Sequence, residues 1–375
     1  MIYLDNAATT QPSAAAAQAM MKVVGEFGNP SSLHGAGLRA EKLMNAARQA
    51  IVDKLGGGAK SLYFTSGGTE ANNLAVIGAA HARRRSGNRV IVSAIEHPSV
   101  LEAARSLARD GFDVVFAPVN KDGRVDVERF RELVTSETVV ASVMHVNNET
   151  GVIQPISELS RIVKSTAPRA VFHCDCVQSF GKLPVKINDL GADMITISAH
   201  KIHGFKGVGA LYMKDARITP LIYGGKQQQG IRPGTENIGG ILAFAAAAAE
   251  CDGNAEEMCR KREMMAALLK ERVPDMIVNG SDEHNSGSIL NVSFLGIKAE
   301  ILLHALERHG VYVSTGSACS SHNTQPSHVL TAMGLPQKAI AGAVRISFSE
   351  KTTDDELTTA AEAIAGETAE IRRYM

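Results

Sequence analysis

The feature that most constrains this chain is a series of short, continuously apolar runs separated by helix-like segments. Strands that are apolar on both faces are typical of a parallel sheet covered by helices on each side. The runs are "RVIVSA" (89–94), "DVVFAP" (113–118), "VVASVMHV" (139–146), "AVFHC" (170–174), "MITIS" (194–198) and "GALYM" (209–213). The segments between them, 71–83, 99–109, 126–135 and 156–166, have helical character. The sequence therefore predicts an α/β domain with a mostly parallel sheet.

A second, smaller unit is indicated by a change of texture after "CDGNAEE" (251–257). The alanine-rich run 243–250 predicts a packed helix just before this point. A long charged helix, β-rich segments around 288–296 and 310–320, and a final helix come after it. Because helices and strands no longer alternate regularly, this part is predicted to be a smaller α+β domain.

Charge and cysteine content exclude several classes of protein. Lys plus Arg and Asp plus Glu are 39 each, so no net basic field attracts nucleic acid or an anionic membrane surface. No apolar run approaches the ~20 residues of a membrane span. The five cysteines are too sparse for a disulfide framework, and the start lacks the basic and apolar regions of a signal peptide. We therefore expect a cytoplasmic protein that binds neither nucleic acid nor membrane directly.

A glycine pair stands where a strand leads into a helix, in "TSGGTEANNLAV" (65–76). Gly67 and Gly68 would let the backbone approach a ligand, and a helix N-terminus favours a phosphate. Thr69 is expected to cap the helix and to offer a hydroxyl. The stretch matches neither a P-loop nor a dinucleotide-binding fingerprint. On its own it is equally typical of a tight turn.

Polar side chains follow other apolar runs. Asp175 ends one run, and a carboxylate at the carboxyl end of a strand points into the crevice where α/β proteins bind ligands. Asn147, Asn148 and His97 follow two further runs, where turn or surface roles are the alternatives. Cys174 and Cys176 alone are a weak metal motif because no second pair stands at ligand spacing. We predict no metal site.

Lys201 lies in "ITISAHKIHG" (195–204), directly after a strand and between His200 and His203. Read alone, it fits a solvated base, a bystander beside two metal-binding histidines, or a covalent attachment point. A recessed lysine has a lowered pKa and attacks aldehydes. A Schiff base with pyridoxal phosphate (PLP) also needs a carboxylate for the pyridine nitrogen and a phosphate cup. Asp175 and the glycine pair meet those needs.

Cys319 lies in "STGSACSSHNT" (314–324), among small polar residues instead of the apolar neighbours of a structural cysteine. This setting predicts an exposed thiol on a mobile loop. Only the thiolate form of such a side chain is a nucleophile.

Taken together, these motifs resemble the cysteine desulfurases, a PLP-dependent, class V aminotransferase-like family with housekeeping and nitrogen-fixation members. The resemblance runs from "YLDNAATT" to "VRISFS", nearly the whole chain. Between them, in order, lie "GNPSSLHGAG", "TSGGTEANNLA", "EHPSV", "MHVNNETG", "HCDCVQSFGKLP", "SAHKIHGFKGVGALY", "GIRPGTEN" and "GSACSS". It implies the aspartate aminotransferase-like fold, with a seven-stranded-type sheet in a large PLP-binding domain, 13–252. Residues 1–12 and 253–375 would form the small domain that carries the catalytic cysteine loop.

The resemblance also implies roles for the cofactor-binding residues. Lys201 would hold the cofactor as a Schiff base, Asp175 would pair with the pyridine nitrogen, and Gln178 would bond the ring hydroxyl oxygen. His97 would stack on the ring and move protons. The phosphate would be bound by Gly68, Thr69, Ser198 and His200, and by Thr235 of a neighbouring subunit, which implies a homodimer.

The implied activity converts L-cysteine to L-alanine. Asn148 and Arg345 would hold the substrate carboxylate, and Cys319 would take the sulfur as a persulfide. An acceptor protein would then receive it for iron–sulfur cluster assembly or tRNA thiolation. The alternatives are a selenocysteine lyase or another class V enzyme, and a non-catalytic sulfur-transfer scaffold of the same fold. Family members often carry alanine where this chain has Cys176, and the resemblance gives that thiol no role.

Overall fold

A central sheet organises the larger part of the molecule. The computed structural model describes residues 1–214, 217–315 and 326–374. Within them, this sheet has seven strands in the order β2-β8-β7-β6-β5-β3-β4, and all run parallel except β8. Its strands are β2 (Leu62–Thr65), β3 (Arg89–Ser93), β4 (Asp113–Ala117), β5 (Thr138–Ser142), β6 (Val171–Asp175), β7 (Met194–Ser198) and β8 (Gly209–Met213), and β1 (Ile2–Tyr3) lies outside it. The predicted mostly parallel α/β sheet is confirmed.

The apolar runs of the sequence become strands because both faces of the sheet are covered. Every residue of β5, β6, β7 and β8 is buried. The predicted strand 139–146 ends earlier, at Ser142, although the chain stays extended and the amide of His145 still donates to Asp175 O over 2.9 Å. Beyond that point the chain turns into a loop at the carboxyl edge of the sheet.

The covering helices lie close to the predicted segments. Along this part of the chain they are α1 (Ala14–Met21), α2 (Gly35–Leu55), α3 (Gly68–Ala82), α4 (Pro98–Arg109), α5 (Val127–Leu133), α6 (Ile156–Thr166), α7 (Ile187–Leu190) and α8 (Ile238–Glu250). Short-range chemistry sets several ends. Asp126 caps α5 by accepting from the amide of Arg129, and α2 ends at Gly56, whose φ of 71° suits glycine.

The carboxyl-terminal part forms a second sheet with its own core. In the described residues the remaining helices are α9 (Ala255–Arg272), α10 (Ala299–Glu307), α11 (His328–Ala332), α12 (Gln337–Ala341) and α13 (Asp354–Arg372). The remaining strands are β9 (Met276–Asn279), β10 (Ile289–Phe294), β11 (Val311–Tyr312), β12 (Ser314–Thr315) and β13 (Ala343–Ser347). Four of them form an antiparallel sheet in the order β12-β13-β10-β9. Leu4 packs with residues of this part, including Leu290 and Ile346, so the first residues contribute to its core.

The edge that matters for function is the carboxyl edge of the seven-stranded sheet. Because β2, β3, β5, β6 and β7 are mutually parallel, the loops that follow them meet at this edge. The segment 4–10 crosses it, and the end of β13 lies beside that segment through a bridge between Asp5 and Ser347. Within the described ranges, none of the helices is both long and apolar enough to cross a membrane.

Candidate active site

The amino end of α3 forms the anion-binding part of the site. Gly68 is the first residue of this fifteen-residue helix, and its position beside β7 brings it close to Ser198. A Cβ at Gly209 would come within 2.8 Å of the Gly67 backbone, so glycine is needed for that close approach. Ser198 is 2% exposed, and its hydroxyl has no hydrogen-bond partner within the described residues. A buried, unpartnered hydroxyl beside a helix N-terminus suits a phosphate oxygen.

Thr69 does not cap α3 as predicted. The helix begins three residues before the predicted segment, so Gly67 occupies the N-cap and Thr69 is the second helical residue. The prediction was wrong because the glycine pair allows the chain to turn directly into the helix. Thr69 is exposed at this end, where its hydroxyl remains accessible to a ligand.

Asp175 is the buried carboxylate of the site. It is 4% exposed at the end of β6. Asn72 donates to Oδ2 over 2.7 Å, and the amide of Val177 donates to Oδ1 over 2.9 Å. These two donors fix the plane of the carboxylate. Asn72 was missed by sequence reasoning, although it stands one helical turn after Gly68 on the same helix.

Lys201 points its amine at a segment that received no role from the sequence. Its Nζ donates to the carbonyl oxygens of Ala7 and Ala8 over 2.6 and 2.7 Å. Gln178 donates to the same Ala7 oxygen over 2.9 Å, so the two side chains meet at one backbone atom. The "YLDNAATT" stretch (3–10) therefore forms one wall of the site. Its contribution is through backbone carbonyls, which no side-chain pattern reveals.

Two histidines lie near this lysine and are influenced by its charge. Burial lowers the pKa of His97, Asp175 opposes the shift and Lys201 adds to it. Burial and then the positive charge of Lys201 lower the pKa of His200 to about 4. His97 Nδ1 lies 2.8 Å from the Ser99 hydroxyl, and His200 Nδ1 lies 3.2 Å from that of Thr9. Both rings are neutral at pH 7 and are oriented by hydroxyl groups.

The contacts of His203 indicate a structural role for this side chain. Its ring lies 2.8 Å from the carbonyl oxygen of Gln11 and 2.9 Å from the carboxylate of Glu350. Burial tends to raise the pKa of Glu350, but the hydrogen bond and charge of His203 lower it to about 2. Among the residues that the structure describes, no group of three His, Cys, Asp or Glu side chains is arranged to hold a metal ion.

The two cysteines that flank Asp175 are also buried. Cys174 and Cys176 are fully enclosed in the core of the larger sheet, with 3.5 Å between their sulfur atoms. Cys174 has the surroundings of a packing residue. Burial tends to raise the pKa of the Cys176 thiol, but hydrogen bonds with Cys174 and His145 lower it to about 6.

Arg345 lies on β13, and its side chain contacts residues at the carboxyl edge of the seven-stranded sheet. It is 4% exposed, and it donates to Asp5 Oδ1 over 2.8 Å and to the carbonyl oxygen of Asn148 over 2.9 Å. Asn148 itself is half-buried. Its neighbour Asn147 is fully buried and bonds backbone groups of its own turn and Ile95, the structural alternative considered from the sequence.

Two predicted site residues are not brought to this edge by the described chain. Thr235 is exposed on the surface of the single subunit. Cys319 lies outside the described residues. The described residues on either side of the gap are held beside the site, because Ser314 pairs with Arg345 across the sheet and Ser327 donates to the buried carboxylate of Glu149.

These residues fit PLP. An unpartnered hydroxyl at a helix N-terminus suits its phosphate, a buried and fixed carboxylate suits its ring nitrogen, and an amine lies at the same edge. Lys201 would carry the cofactor, Asp175 would pair with the ring nitrogen, and Ser198 and Gly68 would hold the phosphate.

Comparisons with known proteins agree with this chemistry. Residues 2–359 match the family model for class-V aminotransferases. The cysteine desulfurase IscS of Dictyoglomus turgidum is 40% identical over 95% of this chain and 91% of its own length. The putative cysteine desulfurase IscS 1 of Bacillus subtilis is 39% identical over 97% of each chain.

Solved structures give the same result. A NifS-like protein superposes with a TM-score of 0.92 at 34% identity and covers 100% of both chains. A structure described as SspA in complex with cysteine superposes with a TM-score of 0.83 at 32% identity, covering 93% of this chain and 99% of that one. This chain therefore belongs to the PLP-dependent class-V aminotransferase family, in the group that contains the cysteine desulfurases.

Proposed function

We propose that this protein is a PLP-dependent cysteine desulfurase that converts L-cysteine to L-alanine. One observation carries the proposal. The amine of Lys201 and the guanidinium of Arg345 both contact the segment 5–8, at the edge of the sheet where β6 ends in the buried carboxylate of Asp175. That arrangement offers an attachment point for the cofactor together with a cation for an amino-acid carboxylate.

The cofactor and the protein divide the chemistry between them. When bound, PLP supplies an electron sink for the negative charge that develops when an amino acid loses its Cα proton. Asp175 would pair with the ring nitrogen, and its two hydrogen-bond donors hold its carboxylate in place. Lys201 would be the base that takes the Cα proton of the substrate. Neutral His97 is suited to stack on the ring and to pass protons.

Arg345 and Asn148 orient the substrate by its carboxylate. The planar guanidinium suits bidentate recognition of a carboxylate, and it is buried where that interaction is strong.

Sulfur transfer uses Cys319. Its thiolate attacks the substrate sulfur, so an S–S bond forms and the Cβ–S bond of the substrate breaks. The carbon skeleton gains a proton at Cβ and leaves as L-alanine, and the enzyme keeps the sulfur as a persulfide. The anchoring of Ser314 and Ser327 beside Arg345 and Glu149 supports this assignment, because both flanks of the segment with Cys319 are held at the site.

The relatives support the choice of substrate. The similar IscS proteins are named cysteine desulfurases, and the similar SspA was solved in complex with cysteine. We extend both to this chain and propose that its persulfide passes to a protein acceptor, of the iron–sulfur cluster or the tRNA-thiolation kind, in the cytoplasm.

We propose further that the enzyme is a homodimer in which Thr235 reaches the phosphate of the partner's cofactor. An exposed apolar patch supports this. Large apolar side chains between α1 and the start of α2 are exposed by half or more, namely Met21, Val24, Phe27, Leu33 and Leu38. A patch of this kind on an isolated chain is typical of a protein–protein interface. The exposed Thr235 would then complete a neighbouring site.

We also propose that residues 13–252 form the large domain and that 1–12 and 253–375 form the small one. The shared core of Leu4 with Leu290 and Ile346 supports placing the first residues with the small domain. The segment 7–10 also contacts Lys201 and His200 of the large one, so it would link the two.

The test is the turnover of L-cysteine by purified holoenzyme with a dithiol as sulfur acceptor. We expect equal amounts of L-alanine and sulfide. Lys201→Ala should abolish both, whereas Lys164→Ala, which removes an ion pair with Asp193, should leave them unchanged. Failure of the wild-type protein to form alanine would refute a desulfurase and favour the non-catalytic scaffold. Alanine from L-selenocysteine but not from L-cysteine would favour the lyase.

A further inference from the structure

In the part of the chain that the structure describes, the guanidinium of Arg345 has two partners, the carbonyl oxygen of Asn148 and the carboxylate of Asp5. Asp5 Oδ1 accepts from Nη2 over 2.8 Å, while the carbonyl oxygen of Asn148 accepts from Nη1 over 2.9 Å. The side chain of Arg345 is almost completely buried, and that of Asp5 is 20% exposed. Without such a partner, burial of this cation would strongly destabilise the folded protein, because the charge loses its hydration.

These two contacts fix the orientation of the guanidinium and leave some of its N–H donors available. An arginine carries five N–H donors in one plane, and the two bonds engage one donor on each terminal nitrogen. The Nε–H is buried and has no partner within the described residues. Donors therefore remain for a further carboxylate, and the fixed plane decides from which direction it can bind.

Asp5 can position another residue because its own backbone is anchored. It forms a bridge with Ser347, two residues after Arg345 on the same strand. The adjoining residues add to this anchor: the amide of Ser347 donates to Leu4 O over 2.7 Å, and its hydroxyl accepts from the amide of Ala7 over 2.9 Å. The carboxylate of Asp5 and the guanidinium are thus held by one continuous piece of structure.

The same segment also holds the reactive amine. Two and three residues after Asp5, the carbonyl oxygens of Ala7 and Ala8 accept from Lys201. One short piece of chain therefore contacts both the group that would bind the substrate carboxylate and the group that would take the Cα proton. Its conformation fixes the separation between them.

We propose that Asp5 is a positioning residue for substrate recognition: it orients Arg345 for the α-carboxylate of L-cysteine and, with the carbonyls of Ala7 and Ala8, sets the distance from that carboxylate to Lys201. The proposal rests on the proposed desulfurase function. It assigns to the beginning of the chain a role in substrate selectivity. Substrates without an α-carboxylate gain nothing from Asp5.

The test compares Asp5→Ala and Asp5→Asn holoenzymes with L-cysteine and with cysteamine, which lacks the carboxylate. For Asp5→Ala we expect KM for L-cysteine and the inhibition constant of the product L-alanine to rise at least about tenfold, the scale of one lost hydrogen bond to a charged group. The kcat should change less. The affinity for cysteamine, measured from the change in cofactor absorbance, should be unaffected, and Asp5→Asn, which keeps an acceptor in the same place, should recover part of the loss.

Asp113→Ala is the matched control. Asp113 also pairs with an arginine, Arg89, over 2.7 Å, but at the start of β3 and β4, away from the site. It should leave all constants for both substrates unchanged. An unchanged L-alanine inhibition constant in Asp5→Ala, or an equal loss with L-cysteine and cysteamine, would overturn the positioning role while leaving the desulfurase function intact. Failure of the wild-type enzyme on L-cysteine would instead refute that function.

Discussion

The side-chain amide of Asn72 donates a 2.7 Å hydrogen bond to Oδ2 of Asp175, and both residues are almost completely buried. The bond links the helix that begins at the phosphate site to the strand that carries the carboxylate. The part of the site that would bind the phosphate and the part that would bind the ring are therefore joined by one hydrogen bond. The four-residue spacing along α3 from Gly68 to Asn72 sets the separation between these two parts of the site.

Asn72→Ala should weaken PLP binding by roughly ten- to a hundredfold, the range expected for one hydrogen bond to a charged group. Asp175→Ala should weaken it further, because the charge itself is lost. The dissociation constant can be measured by titrating the apo-protein with PLP and following the cofactor absorbance.

Asn73→Ala serves as the control for that experiment. Asn73 is the next residue on α3, but within the described part of the chain its side chain bonds only the backbone oxygens of Thr69 and Ser99. Equal effects of the two asparagine variants would show that Asn72 acts through helix stability and not through Asp175.

Ser198→Ala should lower the affinity for PLP but not that for pyridoxal, which lacks the phosphate. The hydroxyl of Ser198 has no partner among the described residues, so its removal should leave the thermal stability of the apo-protein unchanged or slightly higher. Titration of the apo-variant with both compounds measures the difference.

Ser142→Ala gives the opposite pattern. Its hydroxyl lies 2.8 Å from the buried ring of His173, so its loss should destabilise the apo-protein and leave the preference for the phosphorylated compound intact. A loss of pyridoxal affinity in Ser198→Ala as large as the loss of PLP affinity would exclude a phosphate contact.

Much of this molecule could be predicted from sequence because its strands are buried on both faces. Continuous apolar runs such as 194–198 mark central strands, and polar residues directly after them, such as Asp175, mark the carboxyl edge of the sheet. The contacts of Asp5, Ala7 and Ala8 could not be predicted. They join the beginning of the chain to Lys201 and Arg345, hundreds of residues away, and two of them use only backbone oxygens.

The prediction that Thr69 caps α3 was wrong for a local reason. A hydroxyl residue before an apolar run is a common N-cap, but the glycine pair lets the helix start earlier. Roles assigned to Cys319 and Thr235 remain predictions, since one lies outside the described residues and the other would act on a partner subunit.

Glu96→Gln should stabilise the protein at alkaline pH. Burial raises the pKa of Glu96 from 4.5 to about 8, although the hydrogen bond from Ser93 opposes the shift. Between pH 4.5 and about pH 8, the carboxyl group of Glu96 is ionised in the unfolded chain but protonated in the folded protein. Stability of the wild-type protein therefore falls by up to about 1.4 kcal/mol per pH unit as pH rises through this window.

The glutamine variant lacks this titration, so its advantage in Tm should grow from pH 5 to pH 8 and stay constant above. Melting curves of both proteins across this range measure it. A Tm difference that does not depend on pH would contradict a buried, protonated Glu96.

Phe27→Asp should convert the proposed dimer to a monomer. The side chain of Phe27 is 83% exposed in the single chain and lies in the apolar patch after α1, where a buried charge would be costly. Light scattering after size exclusion gives the mass. Phe116→Asp, at an exposed phenylalanine on the edge strand β4, should remain dimeric. A wild-type protein that is monomeric at micromolar concentration would rule out the shared site.

The most direct test of the sulfur route is mass spectrometry of the holoenzyme after exposure to L-cysteine without a reductant or an acceptor. We predict that the peptide with Cys319 gains one sulfur atom while an equal amount of L-alanine is released. Peptides with Cys251 and Cys259, which are free thiols, should remain unmodified. Alanine release without added sulfur on Cys319, or sulfur on another cysteine in Cys319→Ser at the wild-type rate, would contradict the proposed role of Cys319.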